Sequence, residues 1–142
     1  MSTRVNFYLL NRDDENAREQ FACRLAEKLL REGTPVQLFT DDADAAQALD
    51  RLLWQFRSDS FVPHALADSA AADAATVQIT WKQPLLIPTL LNLRSQPLDD
   101  PSGHEAIAEF ILADEASRAE GRQRWAHYKA AGCELQHHAI PA

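Results

Sequence analysis

Cysteines and long apolar runs are both scarce in this sequence, and their scarcity excludes two classes of protein. The two cysteines, Cys23 and Cys133, lie far apart and form no CxxC pair, so we expect neither a zinc site nor a disulfide framework. No segment approaches the ~18 consecutive apolar residues that span a bilayer, and the first four residues lead directly into a strand-like segment. We therefore expect a cytoplasmic protein that does not bind a membrane.

Glycine is missing from the turn at which an α/β enzyme usually holds a phosphate group. After the first predicted strand the chain reads LNRDDE, from Leu10 to Glu15, which is acidic and contains no glycine. The histidines form no HxxxH or HxH pair, and we expect His137 and His138 to lie at a frayed C-terminus. We therefore predict no catalytic residue, cofactor or metal ion. A nucleotide-dependent enzyme on a Rossmann-like sheet remains an alternative.

Positive charge is scarce as well, and it is concentrated in one segment. The net charge of −7 argues against duplex DNA as the main ligand, because DNA affinity comes from neutralising many phosphates. The run RAEGRQRWAHYK has four basic residues and one acidic residue, so it carries +3 while the remainder carries −10. A stand-alone module that binds single-stranded nucleic acid along this run is a second alternative.

Read as a helix, this run places Arg118, Arg122, Trp125 and Lys129 on one face, at i, i+4, i+7 and i+11. Guanidinium groups hold carboxylates, and an indole covers apolar surface. This face therefore suits a short partner that is both acidic and aromatic or apolar. A solvated amphipathic helix with Trp125 turned into the core explains the same pattern.

The order of the predicted elements indicates an α/β fold with a mostly parallel sheet covered on both faces. We interpret Ala65 to Ala75 as a surface loop, and Ala106 to Leu112 as a short strand or a helical turn. Further strands are predicted at Val5–Leu10, Val36–Thr40, Val77–Trp81 and Leu90–Leu93, and helices at Ala17–Gly33, Asp42–Phe56 and Asp114–Gly132, with Gly33 capping the first and Asp114 beginning the last.

A second unusual segment, LDRLLWQFRSDSFVPH, contains three aromatic residues around a polar turn. Trp54, Phe56 and Phe61 lie within eight positions of one another. Exposed aromatic residues at this density favour a protein interface, whereas all three folding back would make them part of the core. The residues alone leave both interpretations open.

Three segments together resemble one known family. FYLL near the N-terminus, LDRLLWQFRSDSFVPHALA in the middle and RQRWAHYKAAGCEL near the end resemble, in order and spacing, the chi subunit of bacterial DNA polymerase III. The resemblance covers essentially the whole chain, 1–142, as a single domain. It implies a three-layer α/β/α Rossmann-like fold, a strand at Ala106 to Leu112, and an accessory subunit without catalytic activity of its own.

The resemblance also implies partners and the residues that bind them. It implies a heterodimer with the psi subunit, which connects to the clamp-loader complex, and binding to the acidic, phenylalanine-ended tail of the single-stranded-DNA-binding protein. Contact with DNA would then be indirect, and a repair helicase is a further partner that the resemblance permits. The residues that match the tail-binding positions are Arg118, Arg122 and Trp125, with Lys129 on the same face. Ala126 stands where the family can carry Lys. Trp54 and Phe61 match the positions that the family uses against psi.

Overall fold

The computed structural model describes residues 2–55, 64–66 and 77–141, apart from the side chains of Trp54, His64 and Ala65. The strands in this part of the chain are β1 (Arg4–Leu10), β2 (Val36–Phe39), β3 (His64–Leu66), β4 (Val77–Thr80), β5 (Thr89–Asn92), β6 (Ala106–Ile111) and β7 (Glu134–Ile140). The α-helices are α1 (Glu15–Arg31), α2 (Ala43–Gln55) and α3 (Glu115–Ala130). These seven strands form one parallel sheet in the order β3-β4-β2-β5-β6-β1-β7. None of the described helices is long and apolar enough to cross a membrane.

The helices cover both faces of the sheet, because successive side chains of a strand point to opposite faces. Leu38 and Leu91 pack in one cluster with residues of α1 and α2. Their neighbours Phe39 and Leu90 pack in a second cluster with Tyr128 of α3. The predicted three-layer α/β/α fold with a parallel sheet is therefore confirmed, as is the strand predicted at Ala106 to Leu112.

The chain leaves the neighbouring strands β1 and β6 in opposite directions. From β1 it runs through α1 to β2, and from β6 it runs through α3 to β7 on the far side of β1. Right-handed crossovers in opposite directions place their helices on opposite faces of a sheet. The carboxyl ends of β1 and β6 therefore form a topological switch point, which is where open α/β sheets commonly bind a ligand.

The helix ends predicted at Gly33 and Asp114 are confirmed in their hydrogen bonds. Gly33 has a φ of 81°, and the N–H groups of Gly33 and Thr34 donate to the carbonyls of Leu30 and Leu29 at 3.0 and 2.9 Å. The positive φ explains why glycine follows this helix. At the start of α3, the Asp114 carboxylate accepts a hydrogen bond from the Ser117 N–H at 3.0 Å.

One prediction about an irregular segment is wrong, and a second is wrong in part. His137 and His138 do not lie at a frayed terminus but in β7, which pairs with β1 along the whole length of both strands. The β7 sequence, ELQHHAI, contains no apolar run, and five of its seven residues are exposed. Pairing with β1 therefore orders this strand. Within the predicted surface loop, Ala65 and Leu66 belong to β3; the remainder, 67–75, lies outside the described residues.

Candidate functional site

A cavity of about 700 Å³ lies between α3 and the carboxyl ends of β1 and β6, at the topological switch point. Its volume is within the range of about 300–1,000 Å³ typical of ligand sites. It is lined by Phe7, Leu9 and Leu10 of β1, Ile111 and Leu112 at the end of β6, Arg118, Gly121, Arg122 and Trp125 of α3, and His137 of β7.

The wall of the cavity is mainly apolar, and Trp125 forms part of it. The Trp125 ring lies 5.1 Å from the ring of Phe7, centroid to centroid, and packs against the core cluster on this face. Leu9, opposite α3, remains 37% exposed. The two interpretations of Trp125 are therefore not exclusive, because this side chain packs against Phe7 and the core cluster and also lines the cavity.

Two guanidinium groups, those of Arg118 and Arg122, border this apolar wall. Both side chains are exposed on α3. Arg122 lies 3.7 Å from Glu115, but the two side chains are 68% and 86% exposed, so this ion pair contributes little. No carboxylate is among the described residues that line the cavity. An anionic ligand would therefore meet positive charge without a competing acidic group in the wall.

Lys129 of the predicted stripe does not line the cavity, and neither does Ala126. Lys129 is exposed one helical turn beyond Trp125. Ala126, where the related family can carry a lysine, is exposed as well. A contact between Lys129 and a bound peptide stays a prediction.

The fourth basic residue of the segment, Arg124, has a different role because it is buried. Its Nε donates to Glu109 Oε1 at 3.0 Å, and the two side chains are 4% and 0% exposed. Glu109 Oε2 accepts from Asn92 Nδ2 at 2.8 Å and from the Tyr128 hydroxyl at 2.5 Å. Burial raises the pKa of Glu109, while Arg124 and these hydrogen bonds oppose the rise. Burial and the neighbouring Glu109 also raise the pKa of Tyr128.

This buried cluster ties α3 to the sheet and to the loop that follows β5. Arg124 Nη1 donates to the Ser95 carbonyl at 3.0 Å, and the Tyr128 hydroxyl accepts from the Leu98 N–H at 3.0 Å. His127 Nε2 lies 2.8 Å from the Leu98 carbonyl oxygen. One side of α3 is thus held in place, which fixes the direction in which Arg118 and Arg122 face the cavity.

Gly121 allows α3 to approach β6 closely. A Cβ atom at this position would lie 2.6 Å from Cδ1 of Ile111, which is shorter than a normal contact. Gly121 is buried and lines the cavity between the two arginines. Glycine has a poor helix propensity, and this close packing explains why a glycine lies in the middle of α3.

The sequence of the chain matches the family described as "DNA polymerase III chi subunit, HolC" over residues 1–136. The chain belongs to this family. DNA polymerase III subunit chi of Pseudomonas aeruginosa is 34% identical over 139 residues, covering 98% of this chain and 98% of the relative. The subunit of Escherichia coli K12 is 31% identical over 138 residues, covering 92% and 94%. That of Haemophilus influenzae is 29% identical over 138 residues, covering 95% and 96%.

Membership of the chi family confirms the resemblance inferred from the three sequence segments and places the chain in DNA replication. Of the predicted residues, the structure brings Arg118, Arg122 and Trp125 together in one cavity. The side chain of Trp54 and the whole of Phe61 lie outside the described residues.

Several residues of the cavity were not predicted from the sequence. A glycine inside a predicted helix often has a packing or functional reason, so Gly121 could have been identified from the sequence. His137 could not be found in the same way, since only the pairing of β7 with β1 brings it to the cavity. The remaining unpredicted residues are apolar side chains at the strand ends, namely Phe7, Leu9, Leu10, Ile111 and Leu112.

Proposed function

We propose that this chain is a non-catalytic accessory subunit that connects the clamp-loader complex of DNA polymerase III to the single-stranded-DNA-binding protein on the template. The psi subunit would provide the link to the clamp loader. The observation that carries the proposal is the cavity at the ends of β1 and β6, in which an apolar wall lies beside two exposed guanidinium groups. A short peptide that is acidic and ends in an aromatic residue has the matching chemistry.

In this arrangement the two parts of the peptide bind to different parts of the cavity. The terminal aromatic ring enters the apolar wall beside Trp125 and Leu9, where burial of a large apolar side chain stabilises the complex by about 1.5–3 kcal/mol. The acidic residues and the terminal carboxylate lie on Arg118 and Arg122. A hydrogen bond to a charged group contributes about 1.5–3 kcal/mol.

Isothermal titration of a peptide that ends in acidic residues followed by Pro-Phe tests this site. We expect Arg122→Ala to weaken binding by roughly one to two decades and Arg118→Ala to weaken it less, because Arg122 lies closer to Trp125 along α3. Arg24→Ala removes an exposed guanidinium from α1, on the other face of the sheet, and should leave the affinity unchanged. Lys129→Ala tests whether a cation one turn away contributes.

Salt concentration gives a second measure of the same contacts. Exposed charges are screened beyond a Debye length of ~10 Å at 0.1 M salt, so binding should weaken as salt is raised. The salt dependence should be smaller for Arg122→Ala than for the unmodified protein. If affinity is the same for both proteins at low and high salt, the peptide does not bind at this face of α3.

The proposed psi-binding surface includes Trp54 and Phe61. Trp54 belongs to α2, which packs on the opposite face of the sheet from α3 and its cavity. This separation supports a bridge, because both partners can bind at the same time. Replacing a buried hot-spot residue typically costs more than ~2 kcal/mol of binding. We therefore expect Trp54→Ala and Phe61→Ala to weaken the psi complex and to leave peptide binding unchanged.

Loss of both interactions in either variant would instead indicate that these rings belong to the core. A repair helicase that uses the same surface would compete with psi, and adding psi to a mixture of the chain and the helicase tests this. Indirect contact with DNA is tested by comparing binding to a bare oligonucleotide with binding to one coated by its binding protein. The bridge proposal requires the coated oligonucleotide to be preferred.

A further inference from the structure

His137 lines the cavity from β7, whereas the two arginines line it from α3. It pairs in register with Phe7 of β1, whose side chain lies on the α3 side of the sheet. The His137 ring lies 6.1 Å from the Trp125 ring, centroid to centroid, in an edge-to-face arrangement. The imidazole is exposed and is part of the cavity lining.

The next residue, His138, points to the opposite face of the sheet. Its ring stacks on Tyr8 at 5.3 Å, and its Nε2 lies 3.0 Å from Asn6 Oδ1. Side chains of a strand alternate between faces, so two adjacent histidines of the same strand have different surroundings. His138 is therefore a matched control for any property assigned to His137.

The charged groups that face His137 are positive. α3 contributes Arg118 and Arg122 to the cavity lining, and Glu115, which lies near Arg122, does not belong to that lining. No side chain that β1 or the end of β6 contributes to the lining titrates: these residues are Phe7, Leu9, Leu10, Ile111 and Leu112. The β7 residues on the same side as His137 are Leu135 and Ala139, which do not titrate either.

A carboxylate bound in the cavity favours the protonated form of a nearby imidazole, because opposite charges attract. The ligand and the proton are then thermodynamically linked, and each increases the affinity of the other.

We propose that His137 is the third positively charged contact of the peptide site and that it takes up a proton when an acidic peptide binds. This inference rests on the proposed function of the cavity. It means that peptide affinity increases as pH falls from 8 to 6, the interval in which a histidine changes charge. If a carboxylate raises the proton affinity of an imidazole tenfold, linkage gives roughly sixfold tighter binding at pH 6 than at pH 8.

Isothermal titration with the acidic Pro-Phe peptide at pH 6, 7 and 8 tests the proposal. At pH 7, titrations in two buffers with different heats of ionisation should show an uptake of about half a proton per peptide. His137→Gln should remove both the pH dependence and the proton uptake, whereas His138→Gln should keep both. His137→Lys should bind at pH 8 about as tightly as the unmodified protein at pH 6, and its affinity should not depend on pH.

The possible results separate this inference from the proposed function. Peptide binding that depends on Arg122 but shows neither pH dependence nor proton uptake would overturn the role of His137 alone. Proton uptake that persists in His137→Gln would do the same. Absence of peptide binding at every pH would overturn both proposals. Circular dichroism of the variants checks that each one is folded, and the exposed position of both histidines leads us to expect unchanged spectra.

Discussion

The buried pair Glu109 and Arg124 gives the sharpest prediction about stability. Glu109→Leu removes the carboxylate and leaves the Arg124 guanidinium, at 4% exposure, without its ionic partner. Arg124→Met leaves the Glu109 carboxylate with Asn92 and Tyr128 as its remaining donors. Breaking a buried ion pair from one side costs about 3–5 kcal/mol, because an uncompensated charge stays in the interior.

For a chain of 142 residues, this loss corresponds to a fall in the melting temperature of roughly 10–20 °C. The double variant Glu109→Leu/Arg124→Met should be more stable than either single variant, since it leaves no unpaired charge. Its remaining cost comes mainly from the Tyr128 hydroxyl, which loses its acceptor, at about 1–3 kcal/mol. Asn92 Nδ2 keeps a bond to the Gln96 carbonyl at 2.9 Å.

Urea unfolding followed by far-ultraviolet circular dichroism measures the free energy of unfolding for all four proteins. The difference between the double variant and the sum of the single variants gives the coupling free energy. If Glu109→Leu costs less than about 1 kcal/mol, or if the costs of the two substitutions simply add, the pair is not a tightly coupled buried ion pair and the reasoning is refuted.

Two further predictions concern α3. Gly121→Leu should displace Ile111 or α3 at the cavity wall and reduce peptide affinity roughly tenfold or more, because even a Cβ would lie 2.6 Å from Ile111 Cδ1. Gln123→Leu, at an exposed position of the same helix, is the control, and titration showing equal affinity for both variants would contradict the position of the site. Hydrogen bonds from Ser117 lower the pKa of Asp114 below its ordinary 3.8. The stabilising effect of the Asp114 carboxylate is therefore fully present above pH 3.8 and is lost as pH falls through the lowered pKa. Asp114→Ala should therefore melt below the unmodified protein at pH 7 and approach it near pH 3, and a melting-temperature difference independent of pH would contradict this.

The sequence by itself determined the features that depend on neighbouring residues. The φ of Gly33 and the hydrogen bond at Asp114 are local, so a glycine after one periodic segment and an aspartate before another were sufficient to predict the helix ends. Helical spacing alone placed Arg118, Arg122 and Trp125 on one face. The order of the elements indicated a parallel sheet, because such strands require crossover connections.

Only the tertiary structure decided which side chains meet across the sheet. Arg124 looked like one more cation of a basic run, yet the helix turns it toward Glu109, whose position on β6 lies 15 residues earlier in the chain. β7 has no apolar run of its own and is ordered by its pairing with β1, so the placement of His137 in the cavity depends on a contact between the two ends of the chain. Local patterns determine local conformation, whereas a site is formed by contacts between residues that are distant in sequence, and those contacts depend on the packing of the whole fold.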